Sequence, residues 1–103
     1  MSAPLKQQVV EVLRGHAGEL RSAGVTSLYL FGSVARGDAD AGSDVDVFFE
    51  HRPNVRGLDV IGLYQLIEGL IRRELGRKAD VAARGGLHPR LRARIEADAV
   101  RVF

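Results

Sequence analysis

Asp44 and Asp46 flank Val45 at the head of the stretch Asp44-Val45-Asp46-Val47-Phe48-Phe49-Glu50, whose alternation of acid with valine reads as the opening of a β-strand. Residues two apart on a strand share a face, so both carboxylates point the same way, roughly 6.6 Å apart. Like charges so placed repel each other, and a divalent cation relieves the conflict. Mg2+ suits the pair because it takes oxygen ligands, commonly one or two carboxylates with substrate phosphates and water. Two such ions, roughly 3.5 to 4 Å apart, would clamp the attacking and departing oxygens of a phosphoryl-type displacement. The plain alternative is a polar strand end in solvent.

Upstream, Phe31-Gly32-Ser33 puts a glycine and a hydroxyl directly after the β-rich run Ser27 to Phe31. Glycine accepts the φ values of a sharp turn and lets backbone N–H groups approach a ligand closely. Ser33 to Arg36 would then form one helical turn whose start attracts an anion, a seat for phosphate; an ordinary turn is the alternative. Arg36 either touches that phosphate or caps the turn and pairs with Asp38 or Asp40. A third acid, Asp80, lies between Ala79 and Val81 in an otherwise apolar run. A buried carboxylate is costly unless partnered. If its strand lies beside Asp44 to Glu50, Asp80 reaches the same metals and accepts a proton from an incoming hydroxyl. Otherwise it forms a salt bridge with Arg36, Arg77 or Arg84.

The surrounding pattern supplies elements to hold these groups. Leu5, Val9, Val12, Leu13, Ala17 and Leu20 recur at helical spacing up to Gly24, with Pro4 tolerated in the first turn. Gly37 to Ser43 is a loop by composition. Leu58, Ile61, Leu63, Leu66, Ile67, Leu70, Ile71 and Leu75 form a broad apolar helix face that stops at Gly76. Lys78 to Ala83 reads as a third strand, and Gly85-Gly86 as a turn. Pro89 to Ala97 reads as a short helix with Leu91 and Ile95 inward, and Ala99 to Phe103 as a last strand. The fold expected is α+β in the mixed α/β sense, a small, mostly mixed four-stranded sheet backed by helices in the order α-β-β-α-β-α-β. The loop before Asp44 permits a hairpin or, less easily, a crossover. The 103 residues make one domain, 1–103, with an expected radius of gyration of about 13 Å.

Composition narrows the chemistry. There is no cysteine, which removes disulfides, thiolate zinc sites and cysteine nucleophiles. His16, His51 and His88 form no HxxxH pair, and His51 and His88 read as loop residues rather than proton shuttles. No apolar stretch approaches the ~20 residues of a membrane span, and no secretory signal pattern leads the chain, so a cytoplasmic location is expected. The net charge is only +2, but it is unevenly spread. Residues 72–94 carry eight Lys/Arg against two acids, and residues 36–50 carry five acids against one arginine. Arg84, Arg90, Arg92 and Arg94 lack the interleaved aromatics of a nucleic-acid platform, so they read as a solvated helix face. Tyr29 and Tyr64 sit at core spacing and read as packing, with Tyr64 alternatively a modification target.

In order, the pieces are a strand, Gly32-Ser33, ten residues (34–43), then Asp44-x-Asp46 in a strand, a helix, and Asp80 in a strand. The segments Leu30-Phe31-Gly32-Ser33-Val34-Ala35-Arg36-Gly37 and Ser43-Asp44-Val45-Asp46-Val47 resemble the signature of the minimal nucleotidyltransferases of the DNA polymerase beta-like superfamily. The resemblance implies nucleotide binding at Gly32, Ser33 and Arg36, metal-holding catalytic acids at Asp44, Asp46 and Asp80, and two Mg2+ ions with ATP as substrate. Enzymes of this kind move a nucleoside monophosphate from a triphosphate to an acceptor hydroxyl and release pyrophosphate. Larger relatives attach a further domain; none is expected here, so the site is expected to be completed by a second protein or subunit, in a hetero- or homo-oligomer. Small members resemble antitoxins that place AMP on a tyrosine of a HEPN ribonuclease toxin, and that role is the expected one. A binding module that neutralises its partner by contact, and a small-molecule or RNA nucleotidyltransferase subunit, are the alternatives.

Overall fold

Residue alternation sorts the sheet into two faces. In the computed structural model, which describes residues 3–103, strand β1 (Val25–Phe31) turns Leu28 and Leu30 to one side and Tyr29 and Phe31 to the other. Strand β2 (Val45–His51) likewise turns Val45, Val47 and Phe49 away from Asp46, Phe48 and Glu50. Strands β3 (Ala79–Ala83) and β4 (Val100–Arg101) complete a four-stranded sheet in the order β3-β2-β1-β4. β1 runs antiparallel to β2 and β4, and β2 runs parallel to β3. Beyond β4 the backbone stays paired: Val102 N–H donates to Leu28 O at 2.8 Å, and Leu28 N–H donates to Phe103 O at 3.0 Å. The sheet is therefore mixed, as expected, and the link between β1 and β2 makes a hairpin.

One face of the sheet carries the core. Helices α1 (Leu5–Gly15), α2 (Ala17–Ala23) and α4 (Leu58–Leu75) bury Val9, Leu13, Leu20, Leu63, Ile67, Leu70 and Ile71 against the valines and leucines of β1 and β2. α4 also serves as the crossover that the parallel β2–β3 pair requires. Tyr64 closes the α4–β3 contact, with its ring edge-on to Phe49 and its hydroxyl accepting the Ala83 N–H at 2.8 Å. The other face is covered by helix α5 (Pro89–Asp98), which follows a 3₁₀ turn at Arg84–Gly86. Beneath it Tyr29 stacks on the buried Phe48 at 4.8 Å between ring centroids, so both tyrosines pack as expected. No residue of α5 is fully buried. Ion pairs tie it to its neighbours, Arg84 to Glu96 and Arg36 to Asp98, while Arg92 pairs with Glu96 within the helix. Among the described residues, no helix is long and apolar enough to cross a membrane. The radius of gyration is 13.0 Å.

Several expectations need correction. The first helix is two helices: at His16 (φ −100°, ψ 11°) the chain bends, and the His16 N–H donates to Leu13 O at 3.1 Å. The apolar spacing runs through the bend because α1 and α2 pack on the same core. Leu58 and Ile61 are 83% and 50% exposed, and Leu91 is 51% exposed, so none of the three is a core residue. Leu58 and Ile61 sit in the first turn of α4, and Leu91 in the first turn of α5. His51 ends β2 rather than lying in a loop, while His88 caps α5 by accepting the Arg90 N–H.

Candidate active site

Register brings the acids together. In the parallel pairing of β2 with β3, Asp46 is directly opposite Asp80, so both carboxylates rise from one face of the sheet on neighbouring strands. That face is the one α5 covers, not the core face. Across β2 on the other side, Asp46 is paired with Phe31, the last residue of β1. Gly32 follows immediately and opens the short helix α3 (Gly32–Arg36). Asp44 stands just before β2, exposed, two residues from Asp46.

Gly32 fits its position in two ways. Its φ of +75° lies in the left-handed region, where a side chain is strained. A Cβ there would also fall on Asp46 Oδ2 and 3.0 Å from Asp46 Cγ. The turn and the carboxylate are thus packed against each other with no room for a methyl group. The loop leading to Asp44 is tied down from below: Asp40 Oδ1 accepts the Gly42 N–H at 2.9 Å, and Arg77 donates to the carbonyls of Asp40 and Ser43 at 3.2 and 2.9 Å. Arg77 is therefore committed to the loop and not to Asp80.

A cavity of about 330 Å³ opens above the acids, lined by Phe31, Gly32, Arg36, Asp46, Asp80, Leu91, Arg94, Ile95 and Asp98. Of the residues that the sequence singles out, Gly32, Arg36, Asp46 and Asp80 line it together; Ser33 and Asp44 do not. Ser33 is the second residue of α3 and half-buried. Asp80 is exposed, because β3 is an edge strand, so its burial is not the feature that marks it. Nor is it salt-bridged. Among the described residues, no ion pair reaches Asp44, Asp46 or Asp80, while Arg36, Arg77 and Arg84 bind elsewhere. Arg36 donates to Asp38 and to Asp98, each at 3.3 Å, which combines the capping reading with a place on the cavity wall. The cavity's α5 wall, with Leu91, Arg94, Ile95 and Asp98, has no signal in the sequence beyond their spacing of three and four.

Burial and unpartnered like charges act together on Asp46. The Asp46 carboxyl is pushed up to about 6, by burial first, then by the charges of Asp80 and Asp44, with Arg36 opposing. Among the described residues, no group of three acids or histidines is gathered closely enough to cage a metal unaided. An all-oxygen site of two adjacent carboxylates with a third nearby still fits Mg2+, which usually completes its shell from phosphates and water. A cation there would remove the repulsion that raises Asp46.

The profile of the nucleotidyltransferase domain family matches residues 13–102. A protein of Methanocaldococcus jannaschii whose name, protein adenylyltransferase MJ0435, is provisional is 31% identical over 99 residues, covering 96% of this chain and 95% of its own. Protein adenylyltransferase MntA of Thermococcus cleftensis is 34% identical over 84 residues, 79% of each chain. Among solved structures, a minimal nucleotidyltransferase superposes with a TM-score of 0.63 at 34% identity, covering 88% of this chain and 93% of the other. A chain of a toxin–antitoxin structure with AMP-PNP shares the fold, with a TM-score of 0.62 at 16% identity, covering 95% of this chain and 72% of the other.

Proposed function

Because the chain belongs to the nucleotidyltransferase domain family and is a nucleotidyltransferase, we propose that it transfers AMP from ATP to a hydroxyl of a partner protein and so acts as an antitoxin. The observation that carries this reading is the pairing of Asp46 with Asp80 against the Gly32 turn, three groups the chain brings from separate elements to one cavity. Relatives named protein adenylyltransferase and a fold neighbour in a toxin–antitoxin structure with AMP-PNP support it. The finer assignments rest on the family resemblance: Mg2+ as the metal, a tyrosine as acceptor, a HEPN ribonuclease as toxin, the cytoplasm as location, and residues 1–103 as one domain.

In this reading Asp46 and Asp80, with Asp44, hold the metal, whose chemistry is to neutralise charge on the triphosphate. Gly32 and Ser33 seat phosphate oxygens at the start of α3, and Gly32 keeps the backbone close to Asp46. Asp80, exposed on the edge strand, faces the open side from which an acceptor hydroxyl arrives, and takes its proton. The hydroxyl oxygen forms a bond to the α-phosphorus, and the bond from that phosphorus to the bridging oxygen breaks. Pyrophosphate leaves with the electron pair.

The test is to incubate the chain and its co-purified partner with ATP labelled in the α-phosphate and Mg2+. Label is expected on the partner, and is expected to disappear with Asp44→Asn or Asp46→Asn. A partner that is neutralised without label would instead establish inhibition by contact.

A further inference from the structure

We infer that Arg94 of α5, rather than Arg36, is the cation that holds the outer phosphates of the nucleotide as they become the leaving group. The inference rests on the proposed reading of the cavity as a nucleotide site. Both arginines line that cavity. Arg36 is already engaged: its Nε and Nη1 donate to Asp38 and Asp98, whose two carboxylates offset its charge. Arg94 is exposed and, among the described residues, its side chain makes no ion pair or hydrogen bond. Its natural helical partner would be Asp98, four residues on. That carboxylate is taken by Arg36, which leaves the Arg94 guanidinium open.

Placement supports the same role. Pro89 and the His88 cap fix the start of α5. Leu91, Arg94, Ile95 and Asp98 then fall on one helical face, three and four residues apart, and all four line the cavity. The floor of that cavity carries Asp46 and Asp80, whose charge a bound metal would offset, which leaves the α5 wall to supply the positive charge that faces the outer phosphates. A guanidinium offers a planar fork that matches phosphate oxygens. When the bond between the α-phosphorus and the bridging oxygen breaks, charge grows on the departing pyrophosphate while the acceptor's proton passes to Asp80. A cation at the outer phosphates therefore binds the transition state more tightly than the ground state.

The test needs no acceptor. Affinities of Mg·pyrophosphate, Mg·ATP and AMP are measured by titration calorimetry on the full chain, for the wild type, Arg94→Ala, Arg94→Lys and Arg90→Ala. Arg90 is exposed and does not line the cavity. Arg94→Ala is expected to weaken pyrophosphate and ATP by roughly 10- to 100-fold, the range of a charge-assisted hydrogen bond. It should leave AMP and the melting temperature unchanged. Lysine should restore part of the loss, and Arg90→Ala should behave as wild type. Unchanged pyrophosphate affinity in Arg94→Ala, or an equal loss for AMP, overturns the role of Arg94 while leaving the nucleotide reading intact. A wild-type chain that binds neither ATP nor pyrophosphate overturns both.

Discussion

Replacing Asp46 with asparagine is expected to cut nucleotidyl transfer by roughly 10³-fold, the scale on which removal of a charge-stabilising group acts in an active site, while making the ligand-free protein more stable at alkaline pH. Both effects have one origin. Asp46 is pinned between Asp80 on β3 and the Gly32 turn after β1, and its carboxyl is held near 6 by burial and by the charges of Asp80 and Asp44. A carboxyl whose folded-state pKa lies above its ordinary value binds its proton more tightly in the folded protein than in the unfolded chain. It therefore favours the folded state at low pH, and that contribution fades as pH rises through about 6. At pH 8 the ionised Asp46 is a liability. The rise from the ordinary carboxylate value to about 6 sets an upper limit of about 3 kcal/mol, and partial exposure with solvent screening reduces it. Thermal melts of wild type and Asp46→Asn, recorded at pH 4 and pH 8 without nucleotide or metal, should coincide at the lower pH and separate at the higher, with the variant melting higher. A variant that melts lower at pH 8 would show that the acids are not in conflict.

The second large effect is expected from a single methyl group. Gly32→Ala forces alanine into φ +75°, a left-handed conformation that costs about 1–2 kcal/mol for an L-residue. Its Cβ also lands on the Asp46 carboxylate. Either the carboxylate is pushed from its place between the turn and Asp80 or the turn opens, and each moves a group of the site by the ångström scale that lowers rates about 100-fold. Gly37→Ala separates strain from crowding. Gly37 has a φ of +83° as the left-handed cap of α3, but nothing lies within 4 Å of a Cβ there. It should lose comparable stability and keep its transfer rate. Equal activity losses in the two variants would mean that backbone strain, not contact with Asp46, governs the site.

Much of the fold is legible because its signals are local. Gly76 after the apolar periodicity of Leu58 to Leu75 ends α4 at the expected residue, and valine alternation marks β2. Asp44, Asp46, Gly32 and Ser33 stand out because a strand, a glycine turn and a strand follow one another directly between Val25 and His51. What is not legible is non-local. That Asp46 lies opposite Asp80 depends on the parallel register of β2 and β3, which are joined through the whole of α4. Periodicity reports that Leu58, Ile61 and Leu91 are spaced as on a helix face; it says nothing of whether another element covers them, and each is at least half exposed. The break at His16 is silent because α1 and α2 share one core. Arg36 attracts notice by its closeness to Gly32-Ser33, yet Asp98, 62 residues away, engages it and leaves Arg94 free.

In the proposed site, Asp46 and Asp80 share a divalent cation beside the Gly32 turn. A crystal of the chain grown with Mn2+ and a non-hydrolysable ATP analogue, with anomalous scattering recorded for the manganese, tests it most directly. An anomalous peak bridging the Asp46 and Asp80 carboxylates, with phosphate density against Gly32 and Ser33, is the result expected. Manganese and phosphates bound elsewhere, with those carboxylates unliganded, would contradict the account.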